Sequence, residues 1–340
     1  MRTVAAAAAL TLAAAGCAGT ASASKPVTLR LGYFPNLTHA AALVGMERGI
    51  FTRALGSTAT LRATTFTAGP AAVEALFSDA LDATYIGPSP TLTAWARSNG
   101  AAVRVVAGAT SGGAALVVAN GITSPEGLRH KKIASPQIGN TQDVALRWWL
   151  REHGLATTLT GGGDVSVVPQ DNATTLDAFA NHAIDGAWVP EPFVTRLVAA
   201  GGHVLVDERS LWPGGKFVTT HLLVRTAFLK AHPDAVRRLV AAHVEATQLI
   251  AADPAAARQA VNDHLAKLTG KPLSASVLAA AWPAMTFTVD PVAASFMAGA
   301  ERARTLGIVK QRPPDLHGLY DLSFLNAVLR ERGLPEQVAP

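Results

Sequence analysis

Six short segments gather small, polar and turn-forming residues where a ligand site would need them. They are Pro35-Asn36-Leu37-Thr38-His39, Thr67-Ala68-Gly69-Pro70 and Gly87-Pro88-Ser89-Pro90-Thr91 in the first third of the chain. Further on come Pro136-Gln137-Ile138-Gly139-Asn140-Thr141-Gln142-Asp143, Pro169-Gln170-Asp171-Asn172 and Trp188-Val189-Pro190-Glu191-Pro192. Each follows an apolar run that reads as a strand and enters a stretch that reads as a helix. None contains Lys or Arg. Free N–H groups and the positive dipole end make helix starts natural anion sites. An uncharged polar pocket facing several such starts suits a small anion that must be released later, because an arginine clamp would hold it harder.

Every one of these residues also has a plain structural role. Asn140, with Asp143 three positions on, reads equally as the N-cap of a variant capping box. Asn36, Thr38 and Ser89 fit turns and caps. His39 fits a packed histidine, Trp188 a core residue, and Glu191 a first-turn acid favoured by the dipole. The inference rests on the set rather than on any member.

Catalytic templates do not fit. Gly87-Pro88-Ser89-Pro90-Thr91 has Gly-x-Ser but lacks the closing glycine of a nucleophile elbow. The chain has no H-E-x-x-H, no P-loop and no G-x-G-x-x-G after a strand. Gly161-Gly162-Gly163-Asp164 precedes a strand, the wrong side for cradling phosphate. The ten histidines lack metal-ligand spacing, and His221, His243 and His264 read as structural or surface groups. No cofactor, no metal and no catalytic residue is expected.

The elements that must position the six loops alternate. Strands are expected at 28–34, 60–66, 82–86 and 103–107, separated by helices over 39–48 and 70–77 and, after Gly87-Pro88-Ser89-Pro90, by a helix through Trp95. After Ser111-Gly112-Gly113 the pattern restarts. Strands at 115–119, 132–134, 165–168, 184–189 and 204–206 alternate with helices over 141–152, 172–181 and 191–200. Phe217 to Arg225 reads as an extended stretch that carries the chain back. The remainder reads as helices over 232–252, 254–268, 274–284, 291–306 and 321–332. Single helices between strands imply βαβ units and mostly parallel sheets. In such sheets ligands sit beyond the carboxyl ends of the strands, where all six loops fall.

The 340 residues suit about two domains. Charged residues make up 16% against ~25% in typical soluble domains, and hydrophobic residues 49%, which excludes intrinsic disorder. The net charge of +5, with Arg129-His130-Lys131-Lys132 and Arg237-Arg238 as the basic clusters, is too diffuse for a nucleic-acid footprint. Met1-Arg2 and the uncharged Val4–Ala15 run read as a signal peptide over 1–16, too short to span a bilayer. Ala14-Ala15-Gly16-Cys17 resembles a lipobox, which would make Cys17 a lipidation site; Ala21-Ser22-Ala23 offers a rival cleavage site. Cys17 is the single cysteine, so no intramolecular disulfide and no Cys–His pair are possible.

The run Gly32-Tyr33-Phe34-Pro35-Asn36-Leu37-Thr38-His39-Ala40 resembles the opening of ABC-importer solute-binding proteins of the nitrate/sulfonate/taurine family. So do Gly69-Pro70 with Glu74-Ala75-Leu76, Asp82 through Pro90, Ala107 through Gly113, Pro136 through Ala145 and Asp185 through Pro192. The aliphatic-sulfonate binders are the branch it looks most like. The resemblance implies a type II periplasmic-binding-protein fold, two Rossmann-like lobes joined by two hinge strands. Residues 17–27 would be a lipid-anchored linker, 28–112 with 221–340 the first lobe and 113–220 the second. It implies capture of a small organosulfonate or related anion by hinge closure, and delivery to a membrane permease by a monomer outside the cytoplasm. By position, the ligand-binding candidates are Asn36, His39, Gly69, Ser89, Ser111, Asn140, Thr141, Trp188 and Glu191. A nitrogen heterocycle stacked on Trp188 is the alternative ligand, and Glu191 in the cleft would favour an amino-sulfonate over a bare anion. An enzyme or a sensor on the same scaffold is the remaining alternative.

Overall fold

The computed structural model describes residues 26–309 and 315–339. The signal peptide, the expected cleavage sites and Cys17 lie outside the described residues.

The first block runs β1 (Val27–Tyr33), α1 (Ala40–Glu47), α2 (Ile50–Leu55), β2 (Ala59–Thr65), α3 (Gly69–Phe77), β3 (Ala83–Ile86), α4 (Pro88–Arg97) and β4 (Val103–Gly112). The second runs β5 (Ala114–Ala119), β6 (Lys132–Ser135), α5 (Thr141–Glu152), β7 (Ser166–Pro169), α6 (Asn172–Ala180), β8 (Gly186–Pro190), α7 (Phe193–Ala199) and β9 (Gly202–Asp207). The chain continues with β10 (Val218–Arg225), α8 (Thr226–Ala231), α9 (Pro233–Ala252), α10 (Pro254–Thr269), α11 (Ala275–Ala281), β11 (Met285–Phe287), α12 (Ala293–Thr305) and α13 (Ser323–Glu331). Prolines sit in the first turn of α3, α4, α9 and α10, where a missing N–H costs nothing. Asp253 and Ser274 cap α10 and α11 with their side chains.

Two sheets result, ordered β11-β4-β10-β3-β1-β2 and β7-β6-β8-β5-β9. Each is mixed, which corrects the expectation of mostly parallel sheets. Strands β2-β1-β3 and β7-β6-β8 are parallel, but β10 is antiparallel to both β3 and β4, and β5 to both β8 and β9. The reason is connectivity. β5 is the first strand after the chain leaves the first sheet, and β10 the first after it returns, so each enters from the opposite end. Three short elements escaped the sequence reading: α2, α8 and β11, of three to six residues each.

Two apolar clusters lie about the first sheet. One holds Leu29, Leu31, Phe51 and Tyr85 against α9 and α10; the other holds Val73, Leu92, Trp95 and Val105 against Phe296 of α12. The second sheet has its own pair, around Leu116, Leu146, Trp149 and Trp188, and around Val117, Phe179 and Leu197. The molecule is thus an α/β protein of two lobes, each with a separate core. Asp82, fully buried, receives Arg30 and Arg225 and ties β1 to the ends of β3 and β10. These guanidiniums hold its carboxyl below the usual range against the upward push of burial.

Candidate functional site

A cavity forms where the strand ends of the two sheets face each other. Phe34, Asn36, Thr38 and His39 reach it from the segment after β1, Thr67 after β2 and Gly87 after β3. The second lobe adds Asn140, Thr141 and Gln142 at the start of α5, Asn172 at the start of α6, and Pro190 at the end of β8. Thr219 and Thr220 on β10 complete the wall. Every one of the six loops singled out in the sequence therefore contributes, and no Lys or Arg lines the cavity. Its free volume is about 20 Å³, room for about one or two waters.

The polar groups in this wall are incompletely paired. Thr141 Oγ1, Thr220 Oγ1 and Asn172 Oδ1 are buried without a hydrogen-bond partner. Native structures leave few such groups unsatisfied, and each costs on the order of 1–3 kcal/mol; of the eight found among the described residues, three face this one cavity. His39 is 2% exposed and stacks on Phe34 with ring centroids 4.4 Å apart. Burial depresses its pKa to about 3, so the ring is neutral at physiological pH. Its Nδ1 accepts the Phe34 N–H at 3.2 Å, which puts the ring proton on Nε2 as a donor. Thr38 Oγ1 donates to Asn36 Oδ1 at 2.7 Å, and the Thr38 carbonyl accepts from Thr110 Oγ1, so this loop is rigidly held.

Asn140 does not cap its helix. It makes no side-chain cap hydrogen bond. Its Oδ1 accepts the Gly69 N–H across the cleft at 3.3 Å, and its Nδ2 donates to Gln142 Oε1. Asp143 is likewise absent from a capping box. Fully buried, it accepts from Ser135 Oγ, the Gly139 N–H and Arg147 Nε, and so fixes the loop that presents Asn140.

Of the nine candidates, the structure brings Asn36, His39, Asn140 and Thr141 to the cavity wall, with Gly69 beside it through Asn140. Four stand away from the wall. Ser111 lies inside β4, which is five residues longer than the sequence suggested, and its Oγ accepts the Phe217 N–H. Ser89 is the second residue of α4 and is buried there. Trp188 is 0% exposed within β8, in edge contact with Trp149 at 6.4 Å, and its Nε1 donates to Glu208 Oε2 at 2.8 Å. A residue in the body of a strand is covered by helices rather than presented at the strand end, so Trp188 offers no stacking platform. Glu191 turns back onto its own helix, accepting from the Thr195 N–H and Oγ1. It lines a different cavity with Asp207 and Arg209, so the cation preference inferred for it does not apply to this one. Thr67, Gly87, Gln142, Asn172 and Pro190 were legible as loop members; Phe34 stood in the first family run and Thr219 and Thr220 in the returning stretch, but none of the three as a ligand candidate.

A second, larger cavity opens from the first, sharing Phe34, Asn36, Thr67 and Asn172 with it. Among the described residues no group of three or more His, Cys, Asp or Glu is placed to hold a metal, and no helix is long and apolar enough to cross a membrane.

Comparison with known proteins agrees with this arrangement. The taurine-binding periplasmic protein of Escherichia coli K12 is 29% identical over 233 residues, 68% of this chain and 70% of that protein. A binding protein of Brucella abortus (strain 2308) is 30% identical over 191 residues, and this chain spans 57% of its length. Among solved structures, the alkanesulfonate-binding protein of Xanthomonas axonopodis pv. citri bound to MOPS superposes with a TM-score of 0.71 at 19% identity, covering 88% of this chain and 99% of that one. The periplasmic nitrate-binding protein of Synechocystis PCC 6803 gives 0.74 at 14% identity, covering 91% and 90%. The shared fold is that of the periplasmic binding proteins. The sequence profile of the NMT1-like family matches residues 22–265, well over half of the chain, and the protein belongs to that family.

Proposed function

We infer that the protein is the extracytoplasmic solute-binding component of an ABC importer, and that it captures a small organosulfonate or related anion in the interlobe cavity. One observation carries the reading: three buried, unpartnered polar atoms, on Thr141 and Asn172 of the second lobe and on Thr220 of the returning strand β10, converge on one cavity without a cation. The hydroxyls of Thr141 and Thr220 donate to an oxyanion, as does His39 Nε2–H. The Asn172 amide, turned half a revolution, presents its NH2 group. The starts of α5 and α6 add their dipole ends. Neutral donors bind an anion firmly enough for capture and weakly enough for release to a permease.

The reading is binding without turnover, by a monomer. Residues 28–112 with 221–340 form one lobe and 113–220 the other, with Ser111–Ala114 and Thr219–Leu222 as the hinges. Lipidation at Cys17 tethers the chain to the membrane. The ligand selects the closed state because only that state brings His39 of the first lobe and Thr141 of the second to the same anion. Titration of the mature chain with methanesulfonate, taurine, nitrate, bicarbonate, sulfate and pyrimidine precursors tests this by thermal shift. A ligand at 100 times its Kd stabilises by ~2.7 kcal/mol. Sulfonate binding weakened at least about tenfold in Thr141→Val with Thr220→Val, the equivalent of one lost charge-assisted hydrogen bond, is the expected result. No response to any anion, or a response confined to pyrimidines, contradicts it.

A further inference from the structure

We propose that the groove between α5 and the end of α12 is a second anion site, separate from the interlobe cavity, for a small oxyanion of phosphate or carboxylate geometry. It stands independently of the solute reading given above. The groove measures about 380 Å³ and is lined by Arg147 and Arg151 of α5, by Leu155, Ala156 and Thr157 just beyond that helix, and by Thr305 at the end of α12. Of the described residues lining it, only the two arginines are charged. Arg147 is 2% exposed. Its Nε donates to Asp143 Oδ1 at 3.0 Å and its Nη1 to the Thr158 carbonyl at 2.7 Å, while Nη2 is buried with no partner. An unmade hydrogen bond is costliest on a buried charged group. The planar fork of a guanidinium pairs best with an oxyanion.

The charges around the groove leave room for an anion. Arg151 follows Arg147 at i+4, a spacing at which like charges on a helix repel. Asp143, one turn earlier, offsets one of the two and is already filled by Ser135, the Gly139 N–H and Arg147. Arg151 is exposed. It donates through Nη1 to the Thr305 carbonyl at 3.2 Å and lies 6.0 Å from the ring centre of Trp148, contacts that bring it no carboxylate. The acids nearby serve other groups: Glu301 accepts from Arg304 and from Thr305 Oγ1, and Glu152 acts on Arg302. An oxyanion seated between the two guanidiniums takes the unspent Nη2 of Arg147, shares Arg151 with the Thr305 carbonyl, and removes the repulsion between the two charges.

The test is NMR of the arginine Nε–H signals of the mature chain, titrated with inorganic phosphate and separately with acetate at constant ionic strength, with sodium chloride as the control for screening. The expected result is a saturable shift of the Arg147 and Arg151 signals with one shared Kd for phosphate or for acetate, and none with chloride. Arg151→Glu should weaken that binding at least tenfold and Arg151→Lys less, since lysine keeps the charge and loses the fork. Arg151 is exposed, so both variants should fold, and a thermal melt checks that they do. Thr141→Val with Thr220→Val alters the interlobe cavity alone and should leave the two signals responding as before. A linear response matching that of chloride, or binding that Arg151→Glu leaves intact, overturns the second site. So does a response that disappears with Thr141→Val and Thr220→Val, which would put the anion in the interlobe cavity. None of these results bears on sulfonate capture, and failure of every sulfonate to bind would leave this site standing.

Discussion

His39, His221 and His243 are buried and neutral, with pKa values pushed down by desolvation to about 3, about 3 and about 4. His221 pairs through Nε2 with Thr91, and His243 accepts from Tyr85 while donating to the Gly108 carbonyl, so both are structural. In the unfolded chain each ring titrates near 6.5 and takes up its proton first as pH falls. The stability they contribute is full above that value and drains as pH drops toward their folded values. Glu208 works in the opposite sense. Burial raises its pKa to about 7, above the ordinary 4.5, so its contribution is present below 4.5 and lost as pH rises through 7. Three groups outweigh one. Lowering pH from 7 to 5 should cost on the order of 1 kcal/mol per histidine per pH unit, partly offset by Glu208. Tm measured in steps of pH should fall throughout that range; a flat or rising profile would contradict the burial of these rings. Sulfonate affinity should nonetheless stay level between pH 5 and 8 when followed by calorimetry, because His39 remains neutral there and a sulfonate remains charged. At this scale the residue types were readable and their orientation was not. Asn140 read equally as a cap and as a ligand group, and its side chain bridges the lobes instead; Glu191 read as a first-turn acid or a cleft acid, and it serves its own helix.

α4 and α5 come close to each other where they begin. Gly87, just before α4, faces Thr141 at the start of α5. A β-carbon on Gly87 would lie 2.3 Å from Thr141 Oγ1 and 3.3 Å from the Thr219 carbonyl. Gly87 has an ordinary extended φ of −78°, so alanine there strains no backbone; it wedges the cleft. Gly87→Ala should leave the unliganded Tm nearly unchanged and weaken sulfonate binding by more than about tenfold, the cost of one overpacked contact. Calorimetry with a thermal melt separates the two effects, and a variant that binds normally would show that the lobes do not close on this contact. Strand and helix positions were largely legible, because apolar periodicity and the prolines that open α3, α4, α9 and α10 are local signals. The length of β4 was not. Its second half, through Gly112, is held by pairing with β10 and β11, partners distant in sequence.

At the scale of the molecule, a latch spans the lobes away from the cavity. Arg302 of α12, which packs with the first lobe, lies 3.9 Å from the ring centre of Trp212 and 5.8 Å from that of Trp148, both in the second lobe. Behind them Glu208 sits buried and draws on the same guanidinium. In the hinge closure proposed above these groups come together as the cleft shuts, and a partly desolvated cation–π contact is worth about 1–2 kcal/mol. Arg302→Ala should therefore raise the Kd for a bound sulfonate about fivefold or more. It should also shrink the ligand-induced change in tryptophan fluorescence. Unaltered affinity together with an unaltered fluorescence change would remove the latch from the closure equilibrium.

The alternation of strands and helices, the two blocks, the family and the set of uncharged loops at the strand ends were legible in the order of residues. These follow from period, turn chemistry and motif, all properties of neighbouring residues. Which loop side chains share a cavity, and that Trp188 and Glu191 do not, came from long-range packing. It also placed Thr219 and Thr220 in the wall, because β10 returns from the second lobe into the middle of the first sheet. Side-chain direction depends on what packs against each element from afar. A polar residue left unpartnered in a wall is visible only once every nearer partner has been placed.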